Sequence, residues 1–392
     1  MAFNFSFKNH FSVIDLILDI NSSSVGLAFI STKDDEIKML YTKRYPIFFK
    51  DNVDASKFTE RTLKILDTAL QEASSTIISE ISEIKKVSQI NKVIVNFASP
   101  WYISKAKEVQ LKKETPFKFT KENFESLIKK EAQSSPENGA MKIIEKNINQ
   151  VVLNGYEMHD PFNKIANEIK LSFYIGQVSL SSLEQVSKII KNHFPKSEIN
   201  YHTHGAVFFQ SIRENFLNLS NYVYFDIGGE TTEIAIIQRG TMTASASVPY
   251  GKNDFIRNVC SKCKGNFDTT FSCLSMIANN ETENKCESDM KPHIINEYKE
   301  WTTQIKTGIS KFENIKELPN RVCIITSDDF RPIVEQFMDD DIFQTEIYKG
   351  TKSSVISLDK TKIESKIKYN NSVKRDLFLE LSALYSLLRR EK

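Results

Sequence analysis

The chain has 392 residues, with 52 Lys and Arg against 50 Asp and Glu, so the formal charge is +2. Its length suits two domains of roughly 100–200 residues each. Its 40% apolar content supplies a core, and the charge balance excludes a strongly basic nucleic-acid binder or a highly charged disordered chain. Glycine is scarce, at 12 residues. Six of the twelve (Gly205, Gly228, Gly229, Gly240, Gly251 and Gly265) crowd into one short region, and Gly228-Gly229 is the only adjacent pair.

An odd number of cysteines, five, does not make a disulfide framework in a chain this large. The N-terminus lacks a charged start followed by an apolar core, so it does not read as a signal peptide. The longest apolar runs, such as Val13–Ile20, fall short of the ~20 residues of a spanning helix. These features read as a soluble, cytoplasmic protein whose membrane contact, if any, is peripheral.

Taken in chain order, Val13–Ile20 reads as a strand, 21–24 as a polar turn, and 25–30 as the return strand of a hairpin, with a loop over 33–36. A strand over 37–47 follows. Leu63, Leu66, Leu70, Ile77 and Ile81 give helical spacing over 58–84, and 93–98 is a short buried strand. Between 85 and 167, strand-like pieces (93–97, 105–111, 148–156) surround a helix over 121–132 capped by Thr120. A strand over 169–177 and a helix over 181–194, opened by Ser181, come next. Then 222–226 is a strand, Gly228-Gly229 a turn, 231–238 a strand, Arg239-Gly240 a tip and 241–248 a third strand. The rest is polar and mostly helical over 253–316, a strand over 322–326, and helices over 330–337 and 376–390. No repeat of 20–50 residues stands out. A strand ending in Asp, followed by a small-residue turn and a hairpin, nevertheless occurs twice, at Asp19 and at Asp226.

Those two turns carry the chemistry. In Asp226-Ile-Gly-Gly-Glu-Thr-Thr-Glu233 the strand fixes a carboxylate, Gly228 and Gly229 let backbone N–H groups approach an anion, and Thr231 and Thr232 add hydroxyls. In Asp19-Ile-Asn-Ser-Ser-Ser-Val-Gly26 the residues Asn21, Ser22, Ser23 and Ser24 supply a comparable turn. Asp19 and Asp226 could hold Mg²⁺ through water while the turns close on phosphates from opposite sides. Either turn alone reads more readily as a polar hairpin tip, and the presence of both favours the phosphate-binding reading.

At these residues the sequence resembles the actin-like ATPase superfamily, and within it the FtsA and PilM group of bacterial division and type IV pilus scaffolds. Asp226–Glu233 with Ile234-Ala-Ile-Ile237 is similar to the second phosphate motif of the FtsA type, and Asp19–Gly26 is nearer the first motif of the PilM type. Tyr156-Glu-Met-His-Asp-Pro-Phe162 and the strand at 169–176 resemble the point where the group's extra subdomain rejoins the body. The resemblance implies an α/β fold of actin-like (ribonuclease H-like) duplicated domains around a central nucleotide cleft, with an inserted FtsA/PilM-type subdomain. It divides the chain into 1–84 and 168–220 for the first domain, 85–167 for the insert, 221–375 for the second domain (helical part about 253–319), and 376–392 for a closing helix.

Three departures work against nucleotide. Asn21 stands where the family keeps glycine in the first turn, and Glu230 stands in the second turn as an anion close to the phosphates. Ser327 and Asp328 occupy the adenosine motif in place of a glycine pair. Catalytic relatives place a Gln, Asp or Glu just after the strand at 93–98 to handle water. Here the loop is Ser99-Pro-Trp-Tyr-Ile103, so no catalytic residue is assigned and at most a weak ATPase is expected.

Cys260-x2-Cys263 with Cys273 and Cys286 could bind Zn²⁺, but Cys273 sits in an apolar helical stretch and reads as core. His202 and His204 fall on one face of a strand and, lacking a further ligand, read as polar loop residues. The last helix, with Leu377, Leu381, Leu384 and Leu388, is apolar over too much of its circumference for a membrane-surface helix and reads as core. Residues 1–11 suit either a membrane contact or an edge strand or tail, and the basic stretch 360–375 reads as a solvated face. The expectation is a cytoplasmic scaffold, at the inner face of the membrane, that binds ATP and Mg²⁺ and recruits membrane-associated division or pilus proteins. Division-type work is slightly preferred. A pilus-assembly role is the alternative, and an adaptor whose cleft no longer binds nucleotide is the alternative of another class. Self-association is left open, and nucleic acid is not expected.

Overall fold

In the computed structural model, the residues described are 13–33, 36–47, 54–133 except 86 and 88, 140–216, 219–279 except 264, 281, 285–312, 315, 317–371 except 357 and 359–362, and 373–389. Three antiparallel strands, β1 (Val13–Ile20), β2 (Ser24–Lys33) and β3 (Glu36–Pro46), start the first sheet. β4 (Lys92–Phe97) lies parallel to β1, β9 (Glu198–Thr203) parallel to β4, and β15 (Ile367–Tyr369) parallel to β3 at the far edge. The second sheet repeats this plan. β10 (Tyr222–Ile227), β11 (Thr232–Gln238) and β12 (Thr241–Val248) are antiparallel, and β13 (Arg321–Ile325) and β14 (Ser354–Ile356) are added in parallel beside β10. β1 and β10 are nearly continuous apolar runs because both faces of each sheet are covered.

The register places the duplicated carboxylates. Asp19 pairs with Gly26 on one side and Asn96 on the other, and Asp226 pairs with Glu233 and Ile325. Each aspartate therefore sits near the carboxyl end of a central strand, at the same place in its sheet.

A third sheet, in the order β5 (Tyr102–Lys118), β8 (Ile165–Ser179), β6 (Met141–Leu153), β7 (Tyr156–Glu157), packs Phe119, Leu171 and Phe173 against Phe124 and Ile128 of α4 (Lys121–Gln133). This sheet spans 102–179. Residues 92–97, inside the stretch 85–167 that changes character in sequence, instead pair with β1, since Val93 and Val95 belong to the first core. β8 runs 15 residues and pairs with β5 and β6 along most of its length, past residue 167.

Helices α1 (Ala55–Glu72) and α5 (Leu180–His193) cover the outer face of the first sheet. A π-helical turn and the short α2 (Ile78–Glu80) and α3 (Ser82–Lys85) follow α1. The cap of α5 is Ser179, whose Oγ accepts the Ser182 N–H at 3.1 Å, two residues before the expected Ser181. The outer face of the second sheet is covered by α7 (Lys252–Cys263), α8 (Phe267–Ala278), α9 (Lys285–Ile309), α10 (Arg331–Asp339) and α11 (Asp341–Tyr348).

Two helices lie between the sheets. α6 (His204–Asn215) and α12 (Leu377–Leu388) share one core with Ile17, Ala28, Tyr224 and Ala235, so both halves contribute to a single apolar cluster. In α12 the residues Phe378, Leu379, Leu381, Leu384 and Tyr385 are buried, each stabilising the packed state by about 1.5–3 kcal/mol. The basic stretch 360–375 is not wholly a solvated face, because Ile363 and Ile367 are buried and β15 extends the first sheet. Residues 1–11 lie outside the described residues. Among those described, no helix is long and apolar enough to cross a membrane.

Candidate functional site

The first turn is held by Asn21, whose N–H donates to the Ser24 carbonyl at 2.9 Å and whose Oδ1 accepts the Ser22 N–H at 2.6 Å. In the second turn the Gly228 N–H donates to the Thr231 carbonyl at 2.9 Å. The two turns then touch each other. The Glu230 N–H donates to Ser22 Oγ at 3.0 Å, Thr231 Oγ1 donates to the Ser99 carbonyl at 3.1 Å, and Ser99 Oγ meets Ser247 Oγ at 2.6 Å. A Cβ on Gly229 would lie 2.3 Å from Ser23 Cβ, so this glycine is required by the opposing turn's side chain. Neither Gly228, Gly229 nor Asn21 has a left-handed backbone; close approach, not φ, is what their positions demand.

Between the aspartates lies His204. Its Nε2 donates to Asp19 Oδ1 at 2.6 Å and its Nδ1 to Asp226 Oδ2 at 3.0 Å, with the His204 and Asp19 side chains fully buried. Phe208 and Phe378 hold the ring, with centroids 4.4 and 5.9 Å away. Burial alone would drive the imidazole toward neutrality, but the Asp19 carboxylate, with Asp226 behind it, raises its pKa to about 10. On the other side of Asp19, Arg44 Nη1 lies 2.7 Å from Oδ2, and the same guanidinium forks onto Asp376 at 2.7 and 2.9 Å. A Cβ on Gly26 would come 2.8 Å from Arg44 Nη2, so the glycine opposite Arg44 in the ladder makes room for it. Burial raises the Asp19 pKa, yet Arg44 and then His204 outweigh it and hold the group below the usual range. Burial wins at Asp226, which is raised. Asp19 is thus the better-compensated partner.

Beside Asp226, Glu233 is buried and accepts a hydrogen bond from Tyr102 Oη, which also accepts the Gly205 N–H at 3.0 Å. Desolvation first, and the Asp226 charge second, raise the Glu233 pKa to about 7. Asp226 Oδ1 and Glu233 Oε1 are buried without a hydrogen-bond partner.

The structure therefore brings Asp19, Asn21, Ser22, Ser23, Asp226, Gly228, Gly229 and Thr231 together. Ser24 Oγ accepts from Arg44 at 2.8 Å at the edge of this group. Thr232 turns away: its hydroxyl donates to the Tyr250 carbonyl at 2.7 Å and accepts from Trp301 Nε1 at 3.1 Å. Glu230 also turns outward, onto Asn253 at 2.8 Å and Arg257 at 3.0 and 2.5 Å, so its charge is paired away from the aspartates. Ser327 is linked to the second turn through Lys252, whose Nζ donates to Ser327 Oγ at 3.3 Å and Asp329 at 3.0 Å while lying over the Phe271 ring. The Asp328 side chain is mostly exposed.

The two histidines depart from their expected loop. His202 ends up at the sheet edge against Glu145, and His204 opens α6 at the centre of the site, because carboxylates far away in sequence surround it. Arg44 carries no local signal, and Glu233, though the last residue of the second motif, has nothing in its spacing that gives it a role. Cys263 and Cys273 pack on the second core; the Cys286 side chain lies outside the described residues, and among those described no group of three metal-ligating side chains occurs.

No protein-family model matches the chain, and no curated protein matches it in sequence. Solved structures do match along its length. A chain of the "PilM-PilN type IV pilus biogenesis complex" aligns with a TM-score of 0.62 at 10% identity, covering 96% of this chain and 98% of that one. The fold is actin-like. A Bacteroides thetaiotaomicron protein described as having an actin-like ATPase fold aligns at a TM-score of 0.41 and 11% identity, covering 98% and 99%. The ethanolamine utilization protein EutJ from Carboxydothermus hydrogenoformans aligns at 0.45 and 11% identity, covering 95% and 89%. At such identities the likeness is one of fold.

An actin-like fold implies Mg²⁺–ATP between the turns. The residues here do not fit that group in the arrangement described. The turns are bonded to each other where phosphates would pass, both aspartates already face the cation His204, and Lys252 crosses to the Ser327 loop.

Proposed function

We propose that this actin-like chain is a scaffold that organises membrane-associated machinery through protein contacts and keeps its two halves closed without nucleotide. The observation that carries this reading is His204, bonded to one aspartate from each half. No ATPase activity is assigned to it. The full-length likeness to a PilM chain, itself in a complex with PilN, supports pilus-assembly work over division work. We place the inserted sheet as the FtsA/PilM-type subdomain and α12 as the closing helix of the first domain.

Calorimetric titration of the purified chain with Mg²⁺–ATP tests the reading. The expected result is no saturable binding up to about 1 mM nucleotide, a free energy of only about −4 kcal/mol, and no rise in Tm. Saturable binding that Asp226→Ala abolishes would overturn it. Gene neighbours that encode a tubulin-like division protein would overturn the preference for pilus assembly.

A further inference from the structure

We infer that Cys260 and Cys263 form a reversible disulfide by exchange with a small-molecule disulfide such as oxidised glutathione, and that this bond undoes the cap at the end of α7. The pair lies in the helical layer outside the second sheet, so it goes beyond the closed-cleft reading and stands independently of it.

Both residues belong to the last turn of α7. Residues three apart on a helix share a face. Helix geometry puts their Cα atoms about 5 Å apart, inside the span of a disulfide. Both thiols are reduced and only half-buried, whereas Cys323 lies in the shared core, where burial pushes its pKa up to about 12. Cys263 feels its neighbour directly: burial first, then the charges of Asp289 and Cys260, raise its pKa. Both thiols also sit at the negative end of the helix dipole, which gives a thiolate no support. A pair at a helix N-terminus is the opposite case, because its stabilised thiolate makes its disulfide easy to reduce. Here that support is missing, so the disulfide resists reduction once made.

The cap opposes the bond. The Cys260 carbonyl accepts the Gly265 N–H at 3.3 Å, and Cys260 Sγ donates to the Gly265 carbonyl at 3.2 Å. On an intact helix, side chains three apart have Cβ atoms about 5–6 Å from each other. A disulfide holds them at about 3.5–4.5 Å. The turn must therefore tighten, and Cys260 loses the hydrogen it gives Gly265. Cap and disulfide exclude each other, which gives the end of α7 two positions.

The exchange balances in two steps. The Cys260 thiolate attacks one sulfur of the small disulfide and expels the other as a thiolate. The Cys263 thiolate then attacks the Cys260 sulfur and expels the second. Two protein S–H bonds become one S–S bond, the small disulfide is reduced, and the two protons end on the released thiols.

The test incubates the full chain with oxidised glutathione and then digests it, without reductant, with a protease that cuts after Asp and Glu. The peptide 255–268 holds both cysteines and excludes Cys273 and Cys286. It should become lighter by two hydrogens, and reductant should restore its mass. In the oxidised chain the Gly265 amide proton resonance should shift upfield as its bond to Cys260 is lost, while that of Phe255 stays in place. Cys263→Ser should stop the loss of two hydrogens and leave Cys260 as a mixed disulfide with glutathione. Cys273→Ser should leave the bond intact. A bond from either cysteine to Cys273 or Cys286 overturns the inference. So do thiols that stay reduced in the folded chain while those of the urea-unfolded chain oxidise, and so does a Cys260–Cys263 bond that leaves the Gly265 resonance unmoved.

Discussion

Glu233 is the residue whose charge the closed cleft accommodates least. Its partner across the ladder is Asp226, its remaining oxygen has no donor, and Tyr102 supplies its one hydrogen bond. With its pKa raised from 4.5 to about 7, the folded chain keeps a proton that the unfolded chain has already lost between those values. The stability this proton confers is therefore full below pH 4.5 and is lost as pH rises to about 7, a span on the order of 3 kcal/mol. His204, raised to about 10, acts in the same direction at higher pH: its contribution is full below 6.5 and fades toward 10. Glu233→Gln keeps an acceptor for Tyr102 and removes the titration. Unfolding midpoints measured from pH 4.5 to 7.5 should fall more steeply for wild type than for Glu233→Gln. Parallel curves would mean that Glu233 is already ionised in the folded state and that its burial is compensated elsewhere.

At the scale of elements, a second buried carboxylate joins three parts of the chain. Glu145 of β6 meets His202 Nδ1 of β9 at 2.5 Å, Tyr385 Oη of α12 at 3.2 Å and Arg389 Nη2, just past the end of α12, at 3.0 Å. The third sheet is thereby latched to both the first sheet and α12. Arg389→Ala should cost about 2 kcal/mol, the loss of one partner of a buried charge discounted for the arginine's partial exposure. Hydrogen exchange should then quicken in β6 and β8 more than in β1 and β10, and equal quickening everywhere would rule out a local latch. Such links also mark what the sequence could and could not disclose. β1, β10 and their turns were legible because apolar runs ending in Asp and small residues form a local pattern. The sheet to which β4 belongs was not, because β4 looks like any short buried strand and only its parallel pairing with β1 assigns it to the first sheet. β15 has three residues and no periodicity to read. His204 was visible as a residue, yet its partners Asp19 and Asp226 are 185 and 22 positions away, and no spacing rule reports such contacts.

For the molecule as a whole, these contacts run in a line of alternating charge: Asp376, Arg44, Asp19, His204, Asp226. The line starts at the cap of α12, where Asp376 Oδ1 also accepts the Leu379 N–H at 3.2 Å, and ends in the second sheet. It follows the shared core formed by α6 and α12, so apolar packing and ion pairing join the same two halves. The halves should accordingly unfold in one transition rather than two. Arg44 is the member to perturb, because its fork serves Asp376 through Nε and Nη2 while Nη1 serves Asp19 and Ser24. A lysine at this position keeps the charge but has one nitrogen, so it can hold Asp19 or Asp376 but not both in this geometry. Arg44→Lys should therefore lose about 1–3 kcal/mol, the penalty for leaving a buried polar group short of its partner. Arg44→Met should lose more, since Asp19 would then depend on His204 alone. Urea unfolding followed by fluorescence and by circular dichroism reads both quantities. Wild type should give coincident curves, and Arg44→Met should separate them as the halves lose their coupling. Coincident curves in all three proteins, with Arg44→Lys as stable as wild type, would mean that the apolar core alone couples the halves and that the charged line only fills the cleft.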